Sequence, residues 1–88
     1  MNLENTVELM ISEDYRDRFI AEYWQTQIRH DKLKELIQKV EISEDYYDGD
    51  FLEFEINCPL ELLKDQLSIM EDYLDILDKR RIIEGIEF

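Results

Sequence analysis

Two adjacent arginines, Arg80 and Arg81, and three aromatics, Tyr15, Tyr23 and Trp24, are the residues of this chain whose chemistry best suits a ligand. A guanidinium can grip a phosphate through two parallel hydrogen bonds. An aromatic ring stacks on a nucleobase with about 1–3 kcal/mol per base. The same residues have plainer uses. The arginines can neutralise a helix C-terminus or pair with neighbouring acids, and the aromatics can fill a core or a subunit interface. His30 can serve as a pH-sensitive group or as a half-buried histidine bonded to a nearby acid or to Thr26. Cys58 precedes Pro59 and reads as a helix cap. There is one His and one Cys, and neither has a partner at catalytic or zinc-binding spacing. The sequence therefore predicts no enzyme, no cofactor and no metal site.

These residues must be held by helices. Residues 59–84 read as one helix carrying two apolar stripes. Leu60, Leu63, Leu67, Met70, Leu74 and Leu77 step by threes and fours. Beside them run Leu62, Ile69, Tyr73, Ile76 and Ile83, interrupted by Gln66 and Arg80. Residues 13–41 form a matching helix with Phe19, Tyr23, Thr26, His30, Leu33, Ile37 and Val40 on its seam. Ile20, Trp24 and Ile28 flank that seam, and Asp14 and Arg18 have ion-pair spacing. Ser12 reads as the N-cap, and residues 1–12 as a short N-terminal arm. Pro59 restarts the chain, with Cys58 or Asn57 as cap, and Gly85 stops it. Ile86 and Phe88 then fold back on the hairpin.

Between the helices, residues 42–58 form an acidic connector with a net charge of -6. Asp48-Gly49 is a turn signal there, and Leu52, Phe54 and Ile56 alternate as in a short extended segment. The expected fold is a single all-α domain over residues 1–88, an antiparallel helical hairpin with this long connector. One stripe of the second helix faces the hairpin partner. The other, Leu62, Ile69, Tyr73 and Ile76, joined by Trp24, needs a further neighbour. A symmetric homo-oligomer supplies it economically.

Composition narrows the function. A net charge of -13 over 88 residues repels nucleic acid as a whole. No apolar run is long enough for a membrane span, and Met-Asn-Leu-Glu lacks a basic signal-peptide start. A lone Cys suits a reducing cytosol.

Particular residues on this frame carry a resemblance. Tyr15-Arg-Asp-Arg-Phe-Ile-Ala-Glu-Tyr23, then Arg29 and Leu33, are followed by Cys58-Pro59, Gln66-Leu67, Met70, Tyr73-Leu74, Leu77, Arg81 and Ile83-Glu84. Over about residues 15–86 this resembles a family of small phage proteins named for a member in a crAss-like phage. That family is similar in turn to the phage sponge that sequesters the cyclic oligonucleotide signals of CBASS immunity. The resemblance implies a helical oligomer without catalysis, working in the host cytoplasm. Nucleotides would sit between subunits, with rings on the bases and cations on the phosphates. The positions matching those roles are Tyr15, Arg18, Tyr23 and Arg29 on the first helix, and Tyr73 and Arg81 on the second. The acidity departs from a phosphate binder. It supports a competing expectation, a nucleic-acid mimic whose Asp45, Asp48, Asp50, Glu53 and Glu55 block a host nuclease or CRISPR effector. A passive phage assembly factor is a third.

Overall fold

The structure, a computed structural model, describes residues 1–46 and 58–88. Every regular element among these residues is helical. A 3-10 turn, Glu4–Thr6, leads into a short helix α1, Val7–Met10. Two long helices follow, α2, Tyr15–Tyr46, and α3, Leu60–Glu84. Cross-helix pairs fix their direction: Tyr15 meets Glu84, His30 meets Glu71, and Glu41 meets Lys64. One number rises as the other falls, so α2 and α3 are antiparallel, as the seams require.

The arm is a separate element. Asn2 and Asn5 cap its first turn reciprocally, each side-chain oxygen accepting the other's backbone N–H at 3.0 and 2.9 Å. Thr6, fully buried, donates to the Leu3 carbonyl at 2.6 Å and accepts from Gln25 Nε2 at 2.9 Å. This bond seats the arm on α2 at Gln25, one helical turn from the buried Ala21.

Three expected boundaries shift. Asp14, not Ser12, caps α2: its Oδ1 accepts the Arg16 N–H at 2.9 Å, while the Ser12 hydroxyl accepts the Asp14 N–H at 3.1 Å. Asp satisfies an orphan amide as well as Ser and adds a charge that suits the helix dipole. At its other end α2 runs past residue 41 to Tyr46. Ile42-Ser43-Glu44-Asp45 contains no Gly or Pro, and mild propensity losses alone do not end a helix. The acidic connector therefore begins later than residue 42. Pro59 itself, at φ -58° and ψ 139°, is the N-cap of α3, with no side-chain hydrogen bond from Asn57 or Cys58. The alternating segment and the Asp48-Gly49 turn lie outside the described residues.

Packing follows the seams. Phe19, His30, Ile37 and Val40 of α2 are buried, as are Leu74 and Leu77 of α3. At the C-terminus of α3, Gly85 adopts φ 68°. The Ile86 N–H then reaches the Arg81 carbonyl at 2.9 Å and the Gly85 N–H reaches Ile82 at 3.4 Å. This is a Schellman cap. It turns Ile86 into a core cluster with Phe19 and Leu77, against which Ile20 and Tyr23 pack. The second stripe stays uncovered: Leu62, Ile69, Tyr73, Ile76 and Ile83 are all exposed.

Candidate functional site

The end of the hairpin where α2 begins and α3 finishes gathers aromatics and arginines. The Schellman turn brings Phe88 back across α2. Its ring centroid lies 4.7 Å from Tyr23, 6.2 Å from Trp24 and 6.4 Å from Phe19. Tyr23 meets Trp24 edge-on at 5.6 Å. Guanidinium groups lie over this cluster. Arg81 sits 4.8 Å from the Phe88 ring and 6.0 Å from Tyr23, and Arg80 sits 5.1 Å from Phe19. Ring faces attract cations through their quadrupole.

Hydrogen bonds hold the rim of the cluster. The Tyr15 hydroxyl donates to Glu84 Oε1 at 3.0 Å and accepts from Arg80 Nη2. Arg80 Nε also donates to Glu84 Oε2 at 3.1 Å. The bond to the Glu84 carboxylate, with some burial, raises the Tyr15 pKa above its ordinary value. The Tyr23 pKa is also raised, first by burial and then by the negative charge of Asp78. Both phenols are therefore held protonated, as donors rather than anions. Arg81 Nε lies 3.4 Å from Asp78 Oδ1 but makes no hydrogen bond, although that atom is buried. A shallow concavity of about 480 Å³ opens beside it, lined by Arg81, Ile82, Gly85, Ile86, Glu87 and Phe88.

The structure thus brings together Tyr15, Tyr23 and Arg81 of the expected ligand positions. Trp24, expected at a subunit interface, is half-buried in the same cluster. Arg18 is placed elsewhere. Its Nη1 donates to the Ser12 carbonyl at 2.8 Å and ties down the turn before α2, while Asp14 pairs with Arg16. Arg29 is exposed, about 21 Å along α2 from Tyr15 at the usual helical rise. Tyr73 lies on the outer face of α3, about 12 Å of helix from Arg81. Phe88, Phe19 and Glu84 join the site without having been singled out as ligand positions. The signal for Phe88 was present: a C′ glycine reverses the chain, so the residues after it return to the helix they leave.

His30 forms a second polar feature midway along the seam. Its Nδ1 is 2.9 Å from Asp31 Oδ1 and its Nε2 is 3.1 Å from Glu71 Oε1. Thr26 instead donates to the Glu22 carbonyl. Burial lowers the His30 pKa, but the two carboxylates outweigh it and the net shift is upward. Among the described residues, no group of three or more His, Cys, Asp or Glu side chains is placed to hold a metal ion, and no helix is long and apolar enough to cross a membrane. The acids of the proposed mimic surface, Asp48, Asp50, Glu53 and Glu55, lie outside the described residues.

A family model described as Sequestin matches residues 13–82. The match covers most of both long helices, including Tyr15, Tyr23, Arg80 and Arg81, and ends before Gly85. No curated protein and no solved structure gives a significant match.

Proposed function

The chain belongs to the Sequestin family, and on that premise we propose that it sequesters a small anionic, aromatic ligand without catalysis. The ligand class that fits best is a cyclic nucleotide immune signal. In this reading the protein is phage-encoded, acts in the host cytoplasm and counters host defence by lowering the free concentration of that signal. The carrying observation is the stacking of Arg81 on Phe88, beside Tyr23 and Arg80, at the open end of the hairpin. Ring faces suit bases, and the guanidinium groups suit phosphates. The family name supports sequestration; the resemblance to the phage sponge supports the nucleotide.

The overall charge of -13 works against an anion at long range, so the binding must come from close contacts. Glu87 lines the same concavity and opposes a phosphate there. Calorimetry of the purified protein against a panel of cyclic di- and trinucleotides should show saturable heat, and denaturation should release the ligand intact. Arg81→Ala should weaken binding by tenfold or more, and Glu87→Gln should tighten it. Folded protein that gives no heat with any member of the panel counts against the nucleotide. Hydrolysed ligand after release counts against a non-catalytic role. Salt-sensitive binding to a basic host protein instead would favour the acidic-mimic reading, which the net charge supports.

A further inference from the structure

Beyond Gly85 the chain divides into an anchor and an end held by contact alone. Ile86 is 6% exposed and its N–H bonds the Arg81 carbonyl, so the core sets its place. Past it the ties change. Among the described residues, no hydrogen bond or ion pair reaches Glu87 or Phe88. Phe88, 44% exposed, touches the rings of Tyr23, Trp24 and Phe19 and the Arg81 guanidinium. Contacts of this kind are individually weak and re-form after a small displacement. The tail also has space on both sides. The concavity of about 480 Å³ beside Arg81 has a neighbour of about 350 Å³, lined on the α2 side by Asp14, Arg16, Asp17 and Ile20. Gly85, Ile86 and Glu87 line both, so the tail is a low partition between two hollows. Phe88 borders the larger one, and its ring can leave α2 without displacing a helix. The region matched by the family model ends at residue 82, so this tail lies outside it.

We propose that Phe88 is a clasp. It lifts from Tyr23 and Arg81 by one ring thickness, about 3.5–4 Å, and closes again on a planar anionic ligand lying between them. The proposal rests on the sequestering role given above and makes Phe88 the moving wall of that site. In the closed chain the Tyr23 and Phe88 centroids are 4.7 Å apart with ring planes 64° from parallel, which leaves no slot. A planar ring entering there gains an aromatic neighbour on each face. Its anionic group meets the Arg81 Nε–H, a buried donor that has no hydrogen bond in the closed chain. Closure behind the ligand slows its release, the rate through which affinity is mostly set.

Naphthalene-1-sulfonate is a suitable probe, because it is a planar aromatic anion with neither sugar nor nucleobase. Titrated to millimolar concentration against the full chain and followed by NMR, it should show cross-relaxation from its ring protons to both Tyr23 and Phe88. The direct Tyr23–Phe88 contact should fade as the probe saturates. Phe88→Ala should weaken binding of the probe at least fivefold, and Phe88→Trp should keep it. Phe88 lies after the last helix and is nearly half exposed, so both variants should retain the helical circular dichroism of the parent. A Tyr23–Phe88 contact that persists with the probe bound overturns the clasp. Equal or tighter binding by Phe88→Ala also overturns it, because the ring then either stands aside or merely obstructs. So does a wild-type chain that does not bind the probe beside Arg81. A cyclic nucleotide panel that gives no heat leaves these outcomes standing, since the probe has no nucleotide feature, and the two readings fail separately.

Discussion

His30 is the one seam residue whose charge changes near neutral pH. Its folded-state pKa is raised, burial notwithstanding, by Asp31 and Glu71. A raised pKa means that the native state holds the proton more tightly than the unfolded chain does. The stability this contributes is fully present below the unfolded value of about 6.5 and is lost as pH climbs through the folded value. The Asp31 pKa is lowered, first by its hydrogen bond to His30, so its share is lost at the other extreme, as pH falls through its folded value. Denaturant melts should therefore show stability declining as pH rises above about 6.5. His30→Gln should flatten that decline. A wild-type profile that rises over this range would show that burial, not the two carboxylates, governs the imidazole. The sequence showed a lone histidine on a seam and open partners. It could not show that Glu71, 41 residues away, would be the second acceptor, because the register between the helices is a property of the packed pair.

At the scale of elements, periodicity was the legible part. Both seams, the antiparallel pairing and the exposed second stripe follow from apolar residues three and four apart. The ends were less legible. The start of α2 turned on which of Ser12 and Asp14 faces an amide, and both residue types cap well. Its far end had no stop signal until beyond Tyr46. The C-terminus of α3 was plain, because only glycine takes φ 68° without strain. A Cβ at Gly85 would meet no atom within 4 Å, so the cost of Gly85→Ala is conformational alone. It should destabilise the protein by about 1 kcal/mol. Gly85→Asn should cost less, since Asn tolerates this conformation. Thermal melts of both variants will test the order. Equal losses would mean that the left-handed conformation is not the source of the cost, and no loss in either variant would mean that the turn after α3 adds nothing to stability.

At the scale of the whole molecule, the hairpin sorts its functions by position. The N-terminal arm is tied to α2 through Thr6 and Gln25. The aromatic cluster caps the open end, with Phe88 arriving from the last residue of the sequence. The composition showed the surplus of acid but not its consequence for the site. Arg80 and Arg81 belong to a strongly negative chain, yet they point at rings as much as at carboxylates. That choice depends on the tail's return, which one glycine decides. Trp24 was assigned to an interface because its row flanks the seam. Phe88 reaches it within the same chain, and a row of apolar residues does not say which neighbour will cover it.

The antiparallel pairing also sets an order of assembly. Glu41 and Lys64 are 23 residues apart in sequence, His30 and Glu71 are 41 apart, and Tyr15 and Glu84 are 69 apart. Chain-closure entropy makes the last of these contacts about 1 kcal/mol harder to bring together than the first. The helices should therefore zip from the connector toward the aromatic end. Stopped-flow kinetics can read this. Val40→Ala should slow folding, whereas Phe19→Ala should act mainly by speeding unfolding. The opposite pattern would place the nucleus at the aromatic end. If the zipper runs as described, a ligand held by Arg81 and Phe88 arrives after the rate-limiting step. It leaves the folding rate alone and lengthens the lifetime of the folded chain.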